Sequence, residues 1–107
     1  SMGQFSEFDY AVGDYCRHLE ADHNKSYGNI PYIFVYEVGR KYVKIIMCRT
    51  SYPSEDRSSH SWIVIGDQGK FKHGDILKSA TWKAPAKNFA RGNVLSGNFK
   101  HIRWAGI

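Results

Sequence analysis

The 107-residue sequence predicts a single α+β domain. An N-terminal amphipathic helix packs on an antiparallel sheet of four to five strands, and a short second helix lies near 85–91. Three observations carry this. Phe5, Phe8, Val12, Tyr15 and Leu19 recur at alternating spacings of three and four. Two β-branched and aromatic runs, 32–38 and 41–49, flank a glycine. The chain is 42% hydrophobic and 15% aromatic, enough for a packed core without disulfides or a structural metal.

The spacing of three and four is the stripe of a helix that buries one face. Ser6 with Asp9 three residues on forms a capping arrangement, and Phe5 with Tyr10 a hydrophobic staple. Acids come early and Arg17 and His18 late, which suits the helix dipole. Gly13 weakens the helix by roughly 1 kcal/mol. Residues 22–31 are turn-rich and read as a loop.

Runs 32–38 and 41–49 read as a hairpin, with Gly39-Arg40 in a type II′ turn. Strand alternation then places Tyr42, Lys44 and Ile46 on one face, and Val43, Ile45 and Met47 on the other. The polar run 50–60 reads as a long loop. Ser61–Ile65 reads as a third strand. Residues 71–80 read as a fourth, with Gly74-Asp75 as a bulge or turn within it. Pro85 suits a first helical position and Gly92 the residue past a helix end. That helix turns Ala86, Phe89 and Ala90 inward. Residues 99–104 alternate as a closing strand. A small curled barrel with the helix as an arm is the alternative arrangement. Ser1 ahead of Met2 reads as a cloning remnant and carries no fold information.

No apolar run approaches the roughly 20 residues of a membrane span, and no basic stretch leads into an apolar one as in a signal peptide. The expected compartment is the cytoplasm. Cys16 and Cys48 read as buried thiols.

Charge is uneven. Six bases and six acids balance over residues 1–54. After Asp75 come Lys78, Lys83, Lys87, Arg91, Lys100 and Arg103 and no acid at all. Such a field favours an anionic partner: nucleic acid, a nucleotide, or an acidic protein. Bases interleaved with rings that stack on nucleobases suit single strands. The site residues expected are Trp82, Lys83, Lys87, Arg91, Asn93, Lys100 and Arg103. The plainer reading is a solvated basic surface over buried rings.

Catalytic signatures are absent from the sequence. It has no Gly-Lys-Ser/Thr phosphate loop, no G-x-G-x-x-G and no G-x-S-x-G. His60, Ser61 and Asp67 are close in sequence, which is not triad geometry. Cys16, His18 and His23 lack the spacing of a zinc site. No metal, cofactor or catalytic residue is assigned, and the reading leans away from an enzyme.

The run from Ser61 to Asn93 holds Ser-Trp-Ile-Val, Gly-Asp-Ile-Leu-Lys, Trp-Lys-Ala-Pro-Ala-Lys and Ala-Arg-Gly-Asn. Together with the Val-Gly-Arg-Lys-Tyr-Val-Lys-Ile hairpin it resembles a set of small bacteriophage-encoded proteins of uncharacterised function. The similarity covers about residues 34–95 and implies phage origin and action inside a bacterial cytoplasm. Taken with the basic, aromatic C-terminal face, three roles remain open: a nucleic-acid-binding accessory protein, an inhibitor of a host or defence protein, or a small nucleotide-binding or nucleotide-sequestering protein. It carries over no enzymatic activity. Trp82, Lys83, Pro85, Lys87, Arg91, Gly92 and Asn93 are its matching positions.

Overall fold

The computed structural model describes residues 6–27, 32–49 and 56–107. Helix α1 runs Glu7–Tyr27. Its start is a reciprocal cap. The backbone N–H of Ser6 donates to the Asp9 carboxylate at 2.9 Å, and the Asp9 N–H donates to Ser6 Oγ at 3.1 Å. Phe5, the staple partner proposed for Tyr10, lies outside the described residues. The helix continues through Asp22–Tyr27, which the sequence reads as loop. Tertiary contacts account for the difference. His23 is fully buried, and the Asp22 carboxylate accepts from the backbone N–H of Trp104 at 2.9 Å.

Strands β1 (Tyr32–Val38), β2 (Tyr42–Arg49), β3 (Arg57–Val64), β4 (Asp75–Thr81) and β5 (Ala84–Pro85) follow one another across an antiparallel sheet, and β6 (Gly92–Asn93) also pairs with β4. Among the described residues the order is an open path with β1 at one edge, and it does not close into a barrel. The β1–β2 turn sits one residue later than expected. Val38 faces Val43, and the Gly39 N–H donates to the Tyr42 carbonyl, leaving Arg40 and Lys41 at the centre. Neither has a positive φ, so the turn is not type II′. Strand β3 begins at Arg57, inside the run read as loop, because β2 extends far enough to pair it. Gly74 makes the expected turn before β4. Its φ of +92° is open to glycine alone at little cost.

Val12, Tyr15, Cys16 and Leu19 of α1 pack on Phe34, Val43, Ile45, Ile63 and Ile76 of the sheet. Val94, Phe99 and Ile102 complete this core from the C-terminal segment. Each fully buried side chain of this size contributes about 1.5–3 kcal/mol. On the opposite face Trp62, Val64, Phe71 and Leu77 form a second, smaller cluster, with Tyr42 packed against it.

The second helix expected at 85–91 does not form. Pro85 is buried in β5, and the Ala86 N–H donates to the Lys78 carbonyl at 2.7 Å. The Arg91 N–H donates to the Ile76 carbonyl, also at 2.7 Å. Both ends of the segment are thus held by β4 in an extended path. Phe89, expected in the core, is 55% exposed as a result. The closing strand expected at 99–104 reduces to one bridge between Arg103 and Gly106 within a series of turns.

Candidate functional site

Alternation along β2 turns Val43 and Ile45 toward α1 and Tyr42 and Lys44 away from it. On that outer face β4 and β5 form a tight hairpin. Thr81 pairs with Ala84, so Trp82 and Lys83 form its tip. The Lys83 N–H donates to Thr81 Oγ1 at 3.1 Å and fixes the turn. Trp82 is 41% exposed. Lys44 Nζ lies 3.2 Å from the centre of its ring and 5.2 Å from that of Trp62. The Arg57 guanidinium lies 5.7 Å from the Trp82 ring. Cations over indole faces are attracted by the ring quadrupole.

Burial pushes the Lys44 ammonium below its usual value; Glu37 opposes this and Arg57 adds to it. Arg57 also pairs with Glu37 at 3.3 Å, an exposed contact of small worth. The tip thus gathers Lys44, Arg57 and Lys83 around one half-exposed indole, with Glu37 as the carboxylate beside them. Lys44 and Arg57 escaped the sequence reading. The available signal was a lysine in mid-strand, sharing a face with Tyr42 and Ile46.

The seven residues expected to share a face are divided among three places. Trp82 and Lys83 form the hairpin tip, and Lys87 is exposed on the extended segment that follows. Arg91 and Asn93 lie at β6. The Arg91 guanidinium stacks 4.0 Å from the Phe89 ring centre, and Nη1 donates to the Ile107 carbonyl at 3.2 Å. Asn93 is structural. Its Nδ2 donates to the His73 carbonyl and the Asp75 carboxylate, and its Oδ1 accepts from the Leu95 and Ser96 N–H groups. Both amide protons and both lone pairs are used, so no capacity remains for a ligand.

Lys100 and Arg103 lie on the helix side, lining a shallow hollow of about 300 Å³ with His18, Asp22 and Lys25. Arg103 Nε donates to both Asp22 oxygens, at 2.9 and 3.0 Å. The apparent excess of base after Asp75 is therefore met in part by an acid 81 residues upstream. Phe99 is core, only 6% exposed. Trp104 meets His23 edge-on, with ring centres 4.5 Å apart.

His60 and Ser61 belong to a buried relay. Tyr15 Oη lies 2.8 Å from Ser61 Oγ, Ser61 Oγ lies 3.0 Å from His60 Nδ1, and His60 Nε2 lies 2.9 Å from the Arg103 carbonyl. The carbonyl only accepts, so Nε2 donates, Nδ1 accepts from Ser61, and Ser61 accepts from Tyr15. Ser61 is fully buried and out of reach of a substrate. Asp67 instead accepts the His73 N–H at 2.9 Å. Cys16 and Cys48 are free, buried thiols, and burial pushes Cys16 up to about 12. Among the described residues no three His, Cys, Asp or Glu side chains are grouped to hold a metal ion. Among the same residues no helix is long and apolar enough to cross a membrane.

No curated protein and no solved structure matches the chain. One family model does, over residues 6–107, nearly the whole sequence. The chain therefore belongs to DUF7717, a family of unknown function.

Proposed function

We propose that this is a non-catalytic accessory protein of phage type that binds single-stranded nucleic acid through the Trp82–Lys83 hairpin tip. The observation that carries the reading is the half-exposed Trp82 ring with Lys44 and Arg57 against it. A nucleobase stacks on exposed indole while neighbouring cations meet the phosphates on either side. Lys83 and Lys87, both exposed, extend the positive track along the chain. Phage origin, and with it the bacterial cytoplasm as the place of action, rests on the Trp-Lys-Ala-Pro-Ala-Lys resemblance. Arg91 supports the segment from within, and Lys100 and Arg103 serve the helix side.

The test is an anisotropy titration with single-stranded DNA, duplex DNA and RNA at two salt concentrations. Affinity for single strands should fall steeply with salt. Trp82→Ala should weaken binding by about 1–3 kcal/mol, the worth of one stacked base. Undetectable binding at low salt ends the proposal.

A second reading is an inhibitor of a host or defence protein. It is favoured by β1, an edge strand that exposes Ile33, Tyr36 and Val38. Such an edge can add a strand from a partner. That reading predicts capture of one defined host protein, lost when Val38→Lys is introduced.

A further inference from the structure

The helix-side face of the sheet is not fully covered by α1. Midway along β3, His60 is an extra residue: Ser61 faces Ile45, Ser59 faces Ile46, and nothing on β2 faces His60. Pairing of β3 with β4 stops at Ser61 opposite Lys78. A second irregularity follows on β4, where Ser79 and Thr81 face Pro85 and Ala84 and Ala80 is left over. Two bulges on neighbouring strands interrupt the ladder here, and bulges of this kind are over-represented beside functional sites.

A cavity of about 460 Å³ lies beside these irregularities. Its floor is Met47 of β2, Ser58 and His60 of β3, and Lys78 of β4. Its roof is the turn 104–107, which brings Trp104 and Ile107. Two anchors hold the roof. Arg103 and Gly106 exchange backbone hydrogen bonds at 3.2 Å, and Arg91 Nη1 holds the Ile107 carbonyl. The volume falls in the range of small-molecule sites, roughly 300–1,000 Å³.

The lining has one chemical polarity. Met47, Trp104 and Ile107 are the apolar wall. Among the described residues that line it, Lys78 is the single Lys, Arg, Asp or Glu side chain. Both ring nitrogens of His60 are engaged, and burial lowers its pKa, so it stays neutral at neutral pH. The Ser58 hydroxyl adds a donor to the same lining. Among the described residues the lining therefore sets the Lys78 ammonium beside an apolar wall that includes an indole, while the main-chain oxygen of Ile107 is taken up by Arg91 Nη1.

We propose that this cavity binds a small molecule joining a planar ring to one anionic group, the anion on Lys78 and Ser58 and the ring along Trp104 and Met47. The site is separate from the Trp82 tip and does not depend on the nucleic-acid reading. Phosphate and carboxylate ligands share this chemistry. Adenosine 5′-monophosphate and indole-3-carboxylate serve as the two probes, with adenosine and inorganic phosphate as half-ligands, in calorimetric titrations of the full chain.

At least one acid should bind, and more tightly than either half-ligand; which acid it is identifies the anion. Lys78→Met should weaken that binding about tenfold, as loss of one charge-assisted contact does. Lys78 and Ser58 are both exposed, so neither substitution opens the core. Ser58→Ala gives an independent reading in the same direction. Trp82→Ala should leave small-acid binding unchanged. The proposal is overturned if neither acid binds at millimolar concentration, if a half-ligand binds as well as the whole, or if both variants bind like the wild type.

Discussion

The Glu20 carboxylate accepts the backbone N–H of Phe34 at 2.9 Å. Glu20 sits on the helix and Phe34 on β1, the open edge of the sheet. The Gly39–Tyr42 bond sets which β1 residues face β2: pairs alternate, and Phe34 turns its N–H outward. An outward donor on an apolar edge invites pairing with another chain. Glu20 occupies it, and Arg17 holds Glu20 in place at 2.8 Å. Glu20→Ala should therefore cost about 1–3 kcal/mol and raise self-association. Urea melts and light scattering at several protein concentrations check both. Unchanged stability and scattering would show that the edge is protected by other means.

Asp22 ties helix to tail. Burial raises its pKa, but the Trp104 N–H and the Arg103 guanidinium outweigh that and hold it below its ordinary value. A carboxylate depressed in the folded state contributes stability above its unfolded pKa of 3.8, lost as pH falls through the folded value. Stability should thus drop below about pH 4, and Asp22→Asn should shrink that drop. Melting curves between pH 5 and pH 2.5 test it, with an equal drop in the variant as the failing result.

His60 sets a second acid limit, at higher pH. Burial lowers its pKa, against the opposing effect of the Arg103 carbonyl. A histidine kept neutral by folding contributes stability above its unfolded value of 6.5, lost as pH falls through the folded one. Protonation would break the Ser61-to-His60 bond and put a second donor on Nδ1 facing a hydroxyl already fed by Tyr15. Stability should decline from pH 7 toward pH 5, and His60→Gln should remove that step. The Hδ and Hε shifts of the imidazole, followed by NMR, give the titration directly.

Gly92 and Asn93 should prove to be scaffold. A Cβ on Gly92 would sit 2.2 Å from the Asn98 carbonyl oxygen, a backbone atom that has to move. Gly92→Ala should cost about 1–3 kcal/mol through that overlap. Asn93→Ala removes four hydrogen bonds and should cost at least as much. At temperatures where both variants remain folded, oligonucleotide affinity should match the wild type. A selective loss of affinity in Asn93→Ala would return that residue to the site.

Much of the fold was legible because it depends on local pattern. The period of the stripe from Phe8 to Leu19, the Ser6–Asp9 cap and the alternation in 32–49 are properties of neighbouring residues, and they specify helix, cap and hairpin before any long-range contact forms. The second helix failed for the opposite reason. Pro85 and Gly92 carry helix-end signals, but the N–H groups of Ala86 and Arg91 find strand carbonyls on β4, and those distant bonds override a weak local preference.

The candidate site divides in the same way. The sequence by itself determined the amphipathic helix, the first hairpin and the run of bases after Asp75. Only the tertiary structure decided which charges are neighbours. It brought Asp22 across to Arg103, saturated Asn93, and set Lys44 and Arg57 against Trp82 from strands far away in the chain. Charge along a chain is a sum, whereas electrostatic interaction falls with distance in space, and that distance exists only once the sheet has formed.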